Sequence, residues 1–396
     1  MKIKKIIPKK IKNSRGEETI KITIKSTEGK GIASAPSGAS KGKHEVKDIT
    51  NLNDTIKFLK NNKEIKNLEI NNFEDLKQVE KIVNKEKNGS NPVIALEYAI
   101  LKSMNPIWKT INNKTRKIPR PLGNVIGGGK HFKYNSPDIQ EFLVYSIGAR
   151  SVEDAIKANT LVHNLTKIEL KKIKNFNYET TDEGAWAPNL SNIEVLDLLT
   201  KVIKKISNEV GFKIKLGIDV AASSFWDGKH YNYKNFSKEE KNKKLNKKEQ
   251  IEFISKLIED YSLHYVEDPL HEEDFSGFAE LNKKYKKSCM VVGDDLTVTD
   301  TKRLKKAIKN KSINSVIIKP NQIGSLIETK EFIEEAKKNK LYLIISHRSG
   351  ETMDTSISHL AVGFEIPVIK CGIYGKERIV KLDELRKIQK QIRLKI

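Results

Sequence analysis

Cysteine is nearly absent: Cys289 and Cys371 are the only two in 396 residues, too few for a disulfide framework. Neither sits in a CxxC pair or in a Cys/His spacing of the kind that binds zinc, so a reducing cytoplasm is the expected compartment. Glycine and proline are also sparse, at 22 and 11 residues, which argues against collagen-like or low-complexity character. Long apolar runs are missing as well, so no membrane span is expected. Met1 to Lys12 is basic but alternates Ile with Lys and lacks the apolar core of a signal peptide. Acidic residues are the minority charge, 51 against 74 Lys and Arg, for a net charge of +23. That balance alone would predict attraction to nucleic acid or an anionic membrane surface. The lysines, however, are scattered through stretches that read as helical, Lys238 to Lys248 and Lys302 to Lys311, without interleaved aromatics. A solvated, lysine-rich surface accounts for them, and no obligatory nucleic-acid partner is expected. The charge would still help to draw in an anionic substrate.

What is present is enough apolar residue, 37%, for a sizeable core, in a chain long enough for a large barrel with a smaller partner domain. Ile20 to Ile24 alternates apolar and polar residues as a half-buried strand does, and Ser26 to Gly31 supplies a turn. Asn53 to Lys60, Phe73 to Asn84 and Val93 to Met104 carry apolar residues at helical spacing, so the first section reads as α+β. Lys117-Ile-Pro-Arg-Pro121 interrupts any helix and marks the expected domain boundary, giving domains of 1–118 and 119–396.

Beyond it, short apolar runs each end in a polar residue before a helical segment. Leu216-Gly-Ile218 precedes Asp219, Tyr265-Val266 precedes Glu267, and Met290-Val-Val292 precedes Gly293-Asp294. Val316-Ile-Ile318 precedes Lys319, Leu343-Ile-Ile345 precedes Ser346-His347, and Val368-Ile369 precedes Lys370. In a β/α barrel the C-terminal ends of parallel strands meet at one face, so this pattern would gather acids, lysines and a histidine in one pocket. Carboxylates from separate strands suit magnesium. Any one of them could equally be a capping or ion-paired carboxylate; the set of three in register favours the metal. Lys319 and Lys370 follow buried-looking strands, where desolvation and a nearby cation would lower proton affinity toward use as a base. A lysine held permanently by a neighbouring carboxylate fits the same position. His347-Arg348-Ser349-Gly350-Glu351-Thr352 offers a guanidinium, a hydroxyl and backbone donors suited to phosphate. Glu141 and Glu183 follow their own apolar or turn signals; a pair of carboxyls in one pocket can keep one member protonated as an acid, but spacing alone does not bring these two together.

Several motifs run along nearly the whole chain in a fixed order. They are Ser14-Arg-Gly16, Ser37-Gly-Ala-Ser-Lys-Gly-Lys-His44-Glu45, Gln140-Glu141, Asp182-Glu183-Gly184 with Ala187-Pro-Asn189, Glu267-Asp-Pro269, Asp294-Asp-Leu-Thr-Val-Thr299, Lys319-Pro-Asn-Gln-Ile-Gly324 and Ser346-His-Arg-Ser-Gly-Glu-Thr352. Together they resemble the signatures of the enolase family. The resemblance implies an α/β fold with a small N-terminal α+β domain, carrying a mobile active-site loop, before a modified TIM-type β/α barrel. It implies the reversible dehydration of 2-phospho-D-glycerate to phosphoenolpyruvate with two Mg2+ per site. Asp219, Glu267 and Asp294 would hold the first ion, and Ser40 would help bind the second. Lys319 would remove the C2 proton, and Glu183, supported by Glu141, would act as acid toward the C3 hydroxyl. Lys370 would help to neutralise the substrate carboxylate, and Arg348 and Ser349 would hold the phosphate. His131, His347 and Gln140 would line the pocket, and a homodimer or a larger ring of dimers would be usual.

The chain departs from the family pattern in places. Arg15-Gly-Glu-Glu-Thr19 with Lys21 stands where the family has Arg-Gly-Asn-Pro-Thr and a nearby acid, which would remove an ion pair between subunits. Thr181 replaces a glycine before Asp182, and a β-branched residue resists positive φ, so a displaced loop is expected there. Lys41 and Lys43 add charge to the lid. Two other functions compete: a related enzyme acting on a phosphate-free carboxylic acid, which the lid and the His347-Arg-Ser segment oppose, and a basic binding protein, which the complete catalytic set opposes.

Overall fold

The computed structural model describes residues 1–38, 42–47, 51–132, 135–173 and 176–392. The chain opens with an antiparallel sheet of β1 (Ile3–Lys12), β2 (Glu18–Ser26) and β3 (Lys30–Ser34), in that order. Alternation in β2 turns Ile20, Ile22 and Ile24 fully inward, each worth roughly 2 kcal/mol of burial. The helix Ser90–Met104 lies against this sheet. A β-carbon at Gly31 would fall 1.9 Å from the Ala99 carbonyl oxygen, so β3 and the helix touch backbone to backbone where only glycine fits. That helix is buried almost all round because it also reaches the barrel, where Glu97 accepts a hydrogen bond from the Leu326 amide at 3.0 Å. Of the expected helices, Asn53 to Lys60 forms as Leu52–Asn61, capped by Asn51. The stretch expected as one helix from Phe73 is divided into a 3-10 turn, Phe73–Asp75, and a helix, Leu76–Ile82. The reciprocal cap between Asn72 and Asp75 tightens that first turn.

The barrel begins with β4 (Arg120–Gly127), β5 (Glu141–Tyr145) and β6 (Lys215–Asp219). A two-stranded ribbon follows, β7 (Tyr231–Tyr233) and β8 (Lys243–Leu245), and then β9 (Tyr265–Glu267), β10 (Met290–Gly293), β11 (Ser315–Ile318), β12 (Tyr342–Ser346) and β13 (Val368–Lys370). The ribbon corrects the helical reading of Lys238 to Lys248: the alternation that buries Leu245 makes a strand of Lys243–Leu245, and the helix starts only at Lys247. The closed order is β10-β11-β12-β13-β4-β5-β6-β9. Strand β5 runs antiparallel to both neighbours, while the other adjacent pairs are parallel. The barrel is filled below its mouth by Leu122, Leu143, Tyr145, Tyr265, Met290, Val292, Ile317, Ile344 and Val368, so the polar groups above stand on an apolar plug.

Candidate active site

Each of the six apolar runs forms a strand whose polar terminus reaches the same end of the barrel. Asp219 pairs in register with Glu267, and Ser346 with Lys370. The reversal of β5 adds a seventh contributor. Its first residue, Glu141, lies beside Asp219, because an antiparallel strand delivers its beginning to the face where parallel strands deliver their ends. A cavity there is lined by His131, Gln140, Glu141, Glu183, Asp219, Asp294, Lys319, His347, Arg348, Ser349 and Lys370. Glu267 is fully buried just beneath it. Of the residues expected in the site, Ser40 lies outside the described residues.

Lys370 stands among three acids: its Nζ is 2.8 Å from Asp219, 2.7 Å from Glu267 and 3.1 Å from Glu141. Lys319 is ion-paired with Asp294, and the Tyr265 hydroxyl donates to Glu267 from inside the barrel. Burial opposes both ammonium charges, yet the carboxylates outweigh it and hold both lysines above their ordinary range. Each ammonium is in direct contact with acid, the second of the two arrangements that the sequence left open. Burial also pushes Glu267 up to about 8, with Asp219 adding repulsion, and Asp295 up to about 7, with Asp294 adding to it. Asp294 is held below the usual range: burial works against its charge, and Lys319 prevails.

On the other side of the mouth, single ligand atoms of His131, Glu141 and Glu183 lie within 4.8 Å of one another, so the structure joins two acids that spacing left apart. Asn124 donates to Glu183 at 3.1 Å, and ring nitrogens of His347 and His131 approach it at 3.5 and 3.7 Å. Burial, then Glu183, drives Glu141 far above the carboxylate range. Burial acts on Glu183 too, but the imidazoles of His347 and His131 overcome it and keep Glu183 ionised. A proton shared by this pair rests on Glu141. His131 contacts Asp182 at 2.7 Å; burial disfavours its charge, but Glu183 and Asp182 raise it to about 9. Thr181 does not take positive φ; in this turn the positive φ falls at Gly184, at 80°. Thr181 instead closes the turn, its carbonyl accepting from Gly184 at 3.0 Å.

The Arg348 guanidinium donates to Asn321 at 2.9 Å and to both oxygens of Glu45 at 3.1 and 3.0 Å. The Ser349 carbonyl accepts from Arg378 at 2.6 Å, which fixes the turn bearing both phosphate candidates. The segment 42–47 is docked on the barrel side: the Val46 amide donates to Gln322 at 2.8 Å, Lys43 meets Glu272 at 3.3 Å and His44 meets Glu273 at 2.7 Å. Asp268 received no role from the sequence. Its carboxylate accepts from the Asp294 and Asp295 amides at 3.0 and 2.7 Å and so orients the neighbouring strand end. The only signal was its position directly after Glu267.

The donor set suits a hard divalent cation. It consists of carboxylates on adjacent strand ends, with acids in excess of ammonium groups. Glu267 Oε1 and Glu141 Oε2 are buried without a hydrogen-bond partner, and Asp268, Asp294 and Asp295 bring oxygens within 4.8 Å of one another.

Residues 3–106 match the family model "Enolase, N-terminal domain", and residues 115–395 match "Enolase, C-terminal TIM barrel domain". A relative named "Enolase" from Methanosphaera stadtmanae is 41% identical, the match covering 97% of this chain and 96% of that protein. Another, from Methanothermobacter thermautotrophicus, is 39% identical over 97% and 95% respectively. A third, from Archaeoglobus fulgidus, is 38% identical over 95% and 94%.

Proposed function

The chain belongs to the enolase family, and from that premise we propose that the barrel mouth carries out the reversible dehydration of 2-phospho-D-glycerate to phosphoenolpyruvate through the following division of labour. The observation that carries it is topological. In the closed strand order β11 and β5 stand four places apart, diametrically across the barrel, so Lys319 at the end of β11 faces Glu141 at the start of β5, with Glu183 beside it. Elimination needs a base and an acid on opposite sides of the substrate.

Lys319 takes the proton from C2, and the electron pair passes to the substrate carboxylate as an enediolate. Lys370, already matched to three carboxylates, presents its ammonium to that developing charge. The Glu141–Glu183 pair supplies the proton with which the C3 hydroxyl leaves as water. Glu183, where His347 and His131 converge, relays to the leaving hydroxyl the proton that rests on Glu141. Arg348 and Ser349 hold the phosphate, and Gln140, His131 and His347 line the pocket. Asp219, Glu267 and Asp294, with Ser40 for a second ion, would hold magnesium. Bound there, magnesium would supply positive charge to balance the enediolate and the carboxylate of Asp294 beside Lys319.

Residues 1–118 serve as a capping domain to the barrel of 119–396, and the enzyme works in the cytoplasm as a homodimer or a ring of dimers. Among the described residues no helix is long and apolar enough to cross a membrane. The test is to supply 2-phosphoglycerate and magnesium and to follow the ultraviolet absorbance of phosphoenolpyruvate. Formation that stops on chelation is expected. No product, with turnover of phosphate-free carboxylic acids instead, would overturn the proposal.

A further inference from the structure

The lid and the phosphate candidate meet at one ion pair. Glu45 belongs to the segment that follows the Ser37 loop, and its side chain is 7% exposed, against 4% for Arg348. Its two oxygens take the Arg348 Nη2 at 3.1 and 3.0 Å, while Nη1 is held by Asn321 at 2.9 Å. Arg348 lines the catalytic cavity, and Glu45 is not among the residues that line it. Gln322 continues the connection: its Nε2 reaches Glu45 at 3.4 Å and Asp294 at 3.0 Å, and its carbonyl accepts from Thr299 at 2.9 Å. A long arginine side chain costs conformational entropy to hold in one pose, and a carboxylate fork removes that cost before ligand arrives.

We propose that Glu45 is a positioning residue for phosphate: by clamping Arg348, it couples docking of the lid segment to a guanidinium set for the phosphate of the substrate. The proposal rests on Arg348 being the phosphate holder, as given above. An opposite role is chemically available, in which Glu45 competes with phosphate for the same arginine, and the two differ in sign.

The test compares Glu45→Gln, Glu45→Asp and Arg348→Lys with the parent for KM and kcat on 2-phosphoglycerate and for competitive inhibition by inorganic phosphate. Loss of the charged clamp in Glu45→Gln should raise KM and the phosphate inhibition constant in parallel by about tenfold, with kcat falling less than about threefold. Glu45→Asp, which keeps the charge, should recover part of both. Unchanged constants in Glu45→Gln, when Arg348→Lys loses phosphate sensitivity, would overturn the clamp alone. Unchanged phosphate inhibition in Arg348→Lys would overturn the reading of Arg348 and the clamp with it. A fall in both constants for Glu45→Gln would show competition, and a fall in kcat without a change in KM would show a role in closure only; either result overturns the proposal.

Discussion

Replacing Lys370 with methionine keeps most of the side chain's apolar stem and removes its charge from the middle of three carboxyl groups at 2.8, 2.7 and 3.1 Å. At an effective dielectric near 20, a contact of this length with an ionised carboxylate is worth roughly 5 kcal/mol before desolvation is counted, and a partner that carries its proton contributes only a hydrogen bond. The net cost of breaking a buried ion pair from one side is about 3 to 5 kcal/mol, because the partners stay behind uncompensated. The acids can escape that cost only by taking up protons. A carboxyl raised in the folded state is destabilising above its unfolded pKa, and increasingly so as pH rises toward the folded value. With Glu267 already near 8 in the parent, the deficit of Lys370→Met should be small at about pH 5 and largest near pH 8 and above. Urea unfolding in the presence of a chelator reads this directly. Excess magnesium should then restore more stability to the variant than to the parent, since a dication can take over the charge that the ammonium supplied. A variant as stable as the parent near pH 8 in chelator would refute the picture of Lys370 as the charge that holds these acids together.

Two further predictions concern groups away from the mouth. Glu97 is fully buried and is raised well above the carboxylate range by burial and then by Glu80. The cost therefore grows as pH rises above the unfolded value, and Glu97→Gln, which keeps an acceptor for the Leu326 amide, should raise the thermal midpoint at alkaline pH but not at about pH 5. An equal shift at both would show that proton uptake is not involved. His163, stacked on Trp186 and bonded to the Gly184 carbonyl at 3.0 Å, is lowered to about 4, chiefly by burial. The unfolded chain takes a proton that the native state refuses, so stability is lost as pH falls from about 6.5 toward 4, by up to about 3 kcal/mol. His163→Gln should show a shallower acid limb in calorimetry; an unchanged limb would place that titration elsewhere.

The strand ends were legible in the sequence because each apolar run stopped at a polar residue, so Asp219, Glu267, Lys319 and Lys370 could be expected on one face before any coordinates. Glu141 shows where that pattern fails. It opens its strand instead of closing it, and hydrophobic alternation carries no information about strand direction. Only the antiparallel pairing of β5 brings it to Asp219 and Glu183. The sequence left the charge of the lysines open for a related reason: whether a buried amine is stripped of its proton or held by acid depends on which neighbours touch it, and those come from distant strands. The Lys238 to Lys248 segment was misread because a charged run conceals a short strand whose one buried residue is Leu245.

Exchange of the C2 proton of 2-phosphoglycerate with solvent deuterium, measured in Lys319→Ala and in Glu183→Gln, separates base from acid more directly than turnover does. If Lys319 faces the carboxyl pair as base against acid, Lys319→Ala should lose both exchange and elimination. Glu183→Gln should keep measurable exchange while losing elimination. Exchange that persists in Lys319→Ala would mean that some other group removes the proton.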